Sequence, residues 1–70
     1  MQLYTIYDKL AQEGGPLFEA KNDEIARRNF SKLITDNNAD VSDFIMYNLG
    51  RFDRESLDMF VHDKVEVVTN

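Results

Sequence analysis

The chain has no cysteine, no tryptophan, one proline, one histidine and three glycines in 70 residues. Each shortage removes a class of protein. Without cysteine there is neither a disulfide framework nor a thiolate zinc site. With His62 as the single histidine, no His-pair metal site can be assembled. No apolar run reaches the roughly 18 residues of a membrane span, and the N-terminus lacks the basic-then-apolar layout of a signal peptide. The expectation is a soluble cytoplasmic protein with no metal and no other cofactor. Positive charge is also scarce: eight basic residues face thirteen acidic ones, for a net charge of −5. That balance speaks against indiscriminate capture of nucleic acid, while leaving room for a small basic patch on one face.

Apolar residues are sufficient for folding. Leu, Ile, Val and Phe number twenty of the 70 residues, above the roughly one-fifth below which chains tend to be disordered. The length sets a single domain, residues 1–70. A core of this size supplies only about 3–5 kcal/mol, and small domains usually carry a staple. With disulfides and metals gone, the staple left is self-association. A homodimer is therefore expected, with sheet edges such as Val65 to Thr69 as its surface.

Along the chain, Leu3 to Tyr7 reads as a strand, rich in aromatic and β-branched residues. Asp8 to Glu13 has the composition for a helical turn before Gly14-Gly15-Pro16 stops regular structure. Leu17 to Lys21 alternates, with Phe18 and Ala20 on one side, as a half-buried strand does. Asn22 is an N-cap candidate followed by Asp23 and Glu24, acids that favour a helix N-terminus. Ala26, Phe30, Leu33 and Ile34 then recur at helical spacing, which predicts one amphipathic helix from Asp23 to Thr35. Asp36 to Asp40 ends it, since Asn tolerates the left-handed conformation. Phe44 to Phe52 is a strand interrupted at Gly50, a place for a bulge or a close backbone approach. Asp53 to Ser56 is a polar turn. Met59 to Val61 and Val65 to Thr69 are strand segments joined by a turn at His62-Asp63-Lys64. The order β-β-α-β-β predicts an α+β fold: a small antiparallel sheet of four to five strands with the helix on one face.

Candidate chemistry is thin. Asp36, Asn38 and Asp40 imitate the start of a calcium loop, but Val41 stands where Gly is required and Tyr47 where Glu is. Gly14-Gly15 has no Lys-Ser/Thr after it and so is no phosphate loop. His62 has no nucleophile at a recognisable motif, and the carboxylates form no pair; no enzyme signature or small-molecule site emerges. Arg27, Arg28 and Lys32 fall on the solvent side of the predicted helix, with Lys21 extending the patch at its entry. They read either as a solvated face with a Glu24–Arg28 pair or as a contact for phosphate or an acidic partner. Tyr4, Tyr7, Tyr47 and Phe52 lie on strands with Arg51 and Arg54 nearby. They read either as core and interface rings or as a stacking platform for single-stranded nucleic acid, with Tyr47 and Arg51 as ring beside cation.

The runs Leu3-Tyr4-Thr5-Ile6-Tyr7-Asp8 and Gly15-Pro16-Leu17-Phe18-Glu19-Ala20-Lys21-Asn22-Asp23, the Ala26/Arg28/Phe30 helix and Met46-Tyr47-Asn48-Leu49-Gly50-Arg51-Phe52-Asp53 together resemble one family. It is the small non-structural protein of gokushoviruses, single-stranded DNA phages of the Microviridae. The likeness covers about residues 3–55 and departs where the family often has Thr-Gly and this chain has Ser56-Leu57. The resemblance implies a non-enzymatic factor in single-stranded genome synthesis or packaging in the host cytoplasm. Its partners would be single-stranded DNA or the phage replication and packaging proteins. The alternative is a protein-interaction module, host-directed or for assembly, that binds no DNA.

Overall fold

The computed structural model describes residues 1–69, and Asn70, the last residue of the expected domain, lies outside them. Five antiparallel strands and one helix make an α+β fold, as expected. Strand β1 (Gln2–Asp8) pairs with β4 (Phe44–Phe52) along its whole length, and β4 pairs with β5 (Met59–Val67). The other side of β1 carries β2 (Glu13–Gly14) at one end and β3 (Phe18–Ala20) at the other. Asp8 to Glu13 holds the expected helical turn, Gln12 N–H reaching Asp8 O at 2.8 Å, and that turn closes the β1–β2 hairpin, with Asp8 Oδ1 accepting the Leu10 and Ala11 N–H groups at 2.9 and 3.1 Å. Between β2 and β3 the pairing slips by one residue, at the segment where Pro16 has no N–H to donate.

Helix α1 (Asp23–Asp36) lies on one face of this sheet. Its start and end are both local chemistry. Asn22 Oδ1 accepts the Ile25 N–H at 2.9 Å, as expected of an N-cap. At the other end Asn38 takes φ +51°, its N–H reaching Thr35 O at 3.1 Å while Ala39 N–H reaches Ile34 O at 3.0 Å. This is a Schellman closure with Asn in the position glycine usually takes. A 3₁₀ turn at Val41–Asp43, capped by Asp40, feeds the chain into β4.

The core follows from the register. Residues directly opposite in antiparallel strands share a face, so Tyr4, Ile6, Phe44 and Met46 point to the helix together with Val67. Tyr4, Ala20, Ala26, Phe30, Ile34, Met46 and Val67 form the buried cluster. The helical stripe is narrower than its spacing suggested: Leu33 is 48% exposed. It lies at the edge of the stripe, on the rim of the open cleft between α1 and the β2–β3 edge.

The region after β4's midpoint corrects the sequence reading more strongly. His62-Asp63-Lys64 is no turn; β5 runs straight through it as one strand. The polar triplet is absorbed as a bulge, because three residues of β5 lie between the Asn48↔Val65 and Gly50↔Val61 pairs where β4 has only Leu49. Gly50 is the crossing point. It takes φ +143°, and a Cβ there would meet the Phe60 carbonyl oxygen at 1.9 Å. The close backbone approach expected at Gly50 is therefore present.

Candidate functional site

The residues singled out from the sequence do not converge. Among the helix cations, Arg28 and Lys32 face solvent, one turn apart, and Lys32 pairs with Asp36 at 3.6 Å. No Glu24–Arg28 ion pair forms among the described residues. Arg27 leaves the patch: it lies on the flank of the stripe and donates from Nε to Val68 O at 2.6 Å, tying the helix to the chain after β5. Lys21 precedes the N-cap, about 16 Å along the helix axis from Lys32. The expected basic cluster is thus two solvent-facing cations and two residues elsewhere.

The tyrosines divide by face. Tyr4 is fully buried, stacked on Phe18 with ring centroids 5.5 Å apart, and its hydroxyl donates to Asp23 Oδ1 at 2.7 Å. Burial first, then that hydrogen bond and the Asp23 charge, push its pKa upward. It is a structural tyrosine that latches sheet to helix. Tyr47 is opposite Thr5 and Tyr7 is opposite Ile45, so both rings lie on the face away from the helix, diagonal to each other. Both side chains are half-buried. At the other end of the same face Leu3 is buried and the hairpin turn reaches across, Arg54 Nε donating to Glu19 Oε2 at 3.1 Å.

Tyr47 and Arg51 do not form the expected pair. The extra residue at Leu49 puts Arg51 on the helix side of the sheet, opposite Gln2 and Phe60. Its guanidinium carbon is 5.5 Å from the Phe60 ring centroid. Tyr47 has Lys64 instead, with Nζ 5.9 Å from the ring centroid, and Glu66 directly across the ladder. Two cation–ring pairs therefore stand on opposite faces of the β4–β5 hairpin. Sequence reading missed Lys64 because it assigned that residue to a turn.

Two of the open clefts on the surface adjoin the candidate residues. One, lined by Pro16, Phe18, Phe30, Leu33 and Phe44, lies between α1 and the β2–β3 edge, with Asp8, Glu13 and Glu19 also in its wall. The other is formed by Met1, Gln2 and the hairpin residues around Arg51 and Phe60. Among the described residues, no group of three or more His, Cys, Asp and Glu side chains is placed to hold a metal ion. No helix is long and apolar enough to cross a membrane. Asp40 and Asp53 are held below the usual carboxylate range by the backbone N–H groups they accept, from Ser42 and from Glu55 and Ser56 respectively. These are turn-forming acids, and the calcium-like spacing at Asp36 to Asp40 is spent on a helix end and a 3₁₀ cap.

The arrangement defines a small α+β protein built on a half-covered sheet, whose candidate groups sit on open surfaces rather than in an enclosed cavity. The chain belongs to the Phage ORF5 protein family, which matches residues 1–70. It is a phage protein. No curated protein and no solved structure matches it.

Proposed function

We propose that this phage protein is a gokushovirus accessory factor of single-stranded genome synthesis or packaging, acting in the host cytoplasm by binding rather than by catalysis. The observation that supports a DNA contact is the part of the sheet around Tyr7 and Tyr47, on the face away from the helix. Tyr47 carries a lysine ammonium beside its ring, and Tyr7 lies diagonal to it on the neighbouring strand. Strand aromatics next to cations are the usual platform for unpaired bases, since every base has a face to stack. Arg28 and Lys32 are on the far side of the sheet and would add attraction without touching the same stretch of strand. Affinity is weak, because the net charge of −5 opposes a polyanion.

Retention on single-stranded DNA at two salt concentrations tests this. The wild type is retained at low salt and released steeply as salt rises. Lys64→Gln weakens retention, and Glu66→Gln, which removes the acid across from Tyr47, strengthens it. The Arg27/Arg28/Lys32→Gln triple variant has a small effect; if it alone abolishes retention, the helix is the contact face. Absence of retention at low salt overturns the DNA reading. The interaction-module reading then takes over, favoured by the acidic surface and by an exposed apolar segment in β5.

A further inference from the structure

The β4–β5 hairpin projects past the part of the sheet that the helix covers, its turn tied back to β3 by Arg54 Nε donating to Glu19 Oε2 at 3.1 Å. Every residue from Asp53 to Glu66 is exposed. Among them Leu57, Met59, Phe60, Val61 and Val65 are each between 57% and 71% exposed. The exposure is two-sided. Phe60 shares the helix side with Arg51, while Met59 and Val61, opposite Phe52 and Gly50, take the other side. Among the described residues no further strand lies beyond β5, so its outer backbone groups have no strand partner there.

We propose that this arm is a homodimerisation element: two copies join arm to arm, antiparallel along β5, about a two-fold axis at Phe60. Area is the first argument. A compact protein of this mass exposes roughly 4,500 Å², and this chain exposes 5187 Å² at 8.2 kDa. The excess of about 650 Å² is close to the ~800 Å² each partner contributes to a standard interface. Charge is the second argument, and it selects a second copy as the occupant. Residues 51–64 carry three basic and four acidic side chains, while the rest of the chain carries five basic and nine acidic. The arm is thus net −1 and the rest of the chain net −4, so copies joined through the arm bring the least like charge together.

Register is the third argument. A two-fold axis between antiparallel edge strands passes through one residue of each copy, because opposed residues must share a face. An axis at Asp63 opposes two aspartates. An axis at Phe60 opposes Phe60 to Phe60, Met59 to Val61 and Asp58 to His62, so the apolar residues meet at the centre with an acid against a histidine at each side. The bulge at His62 to Lys64 then limits the pairing to the arm and stops sheet growth along the rest of the edge.

Light scattering and analytical ultracentrifugation of the full chain across a wide concentration range test the dimer. The expected mass is twice 8.2 kDa, with a melting temperature that rises with protein concentration. Phe60→Asp gives a monomer with an unchanged far-ultraviolet helical signal, since Phe60 lies outside the buried cluster. Leu33→Asp, an exposed apolar residue elsewhere, leaves the dimer intact. Under mild oxidation Phe60→Cys yields a disulfide-linked dimer, because opposed Cβ atoms lie about 5 Å apart. A monomer at all concentrations, or a Phe60→Asp variant as dimeric as wild type, overturns the proposal. A dimer that Phe60→Cys fails to crosslink overturns the register.

Discussion

The two ends of the β4–β5 hairpin have similar composition and opposite fates. At the end near the helix, Met46 and Val67 are opposed in the ladder and both buried against Phe30 and Ile34. At the other end, Phe52 faces Met59 and Arg51 faces Phe60, and both β5 residues remain more than half exposed. Hydrophobicity is the same in kind at both ends. Coverage is the difference: 14 helical residues are about 21 Å long, whereas the molecule extends over 37 Å. A chain with one helix can close a core over only part of a long hairpin, and the remainder is left for another surface.

The largest effect expected from this contrast is at the covered end. Phe30 is 1% exposed in the centre of the cluster, so Phe30→Ala should cost about 3–5 kcal/mol, comparable with the whole stability of such a domain. Chemical denaturation would show it, and a midpoint close to wild type would mean the helix is not held by this ring. Gly50→Ala comes second. The added Cβ cannot coexist with the Phe60 carbonyl, so the arm must part from β4 beyond this point. Amide hydrogen exchange should show protection lost in residues 51–61 and retained in β1 and α1. Global loss of protection would show that arm and core form one cooperative unit.

Tyr4→Phe is smaller. It removes the hydroxyl that donates to Asp23 and should cost about 1.5 kcal/mol at neutral pH. The same contact sets a pH dependence. The folded-state pKa of Tyr4 is raised, so its contribution is complete below the ordinary tyrosine value near 10 and is lost as pH rises toward the folded value. Wild type should therefore weaken above about pH 10, and the Phe variant should weaken less. The smallest effect lies in the arm. Leu57 holds φ +65° in the turn and is 71% exposed, giving nothing to packing in the monomer. Leu57→Gly should relieve roughly 1 kcal/mol of left-handed strain, seen as stronger exchange protection of the Asp53 N–H that bonds to Asp58 O.

Much of the helix was legible in the sequence, because caps and termination depend on residues within a turn of each other. Asn22, the acids after it and the Asn38 closure needed no long-range information, and the helix ended one residue beyond its expected limit. The strands were legible as strands, with two failures that share a cause. Glu13–Gly14 and the His62 to Lys64 stretch do not look like strand, yet each is held by a partner that does: Tyr7 and Asp8 for the first, β4 for the second. The candidate site was far less legible. Tyr4 and Tyr47 are both strand tyrosines in the sequence, and one is a core latch while the other is on an open face.

Local chemistry by itself determined a small acidic chain with one capped helix, a glycine at a forced backbone crossing, and no thiol or histidine-pair chemistry. The tertiary structure decided which side chains share a face. One extra residue at Leu49 moved Arg51 away from Tyr47, and β5 running on through His62 to Lys64 set Lys64 beside that ring, two residues before its ladder partner Glu66. Side-chain direction along a strand alternates residue by residue, so a slip of one position reassigns every following group. That slip arises from pairing between segments distant in the chain, which no local pattern records.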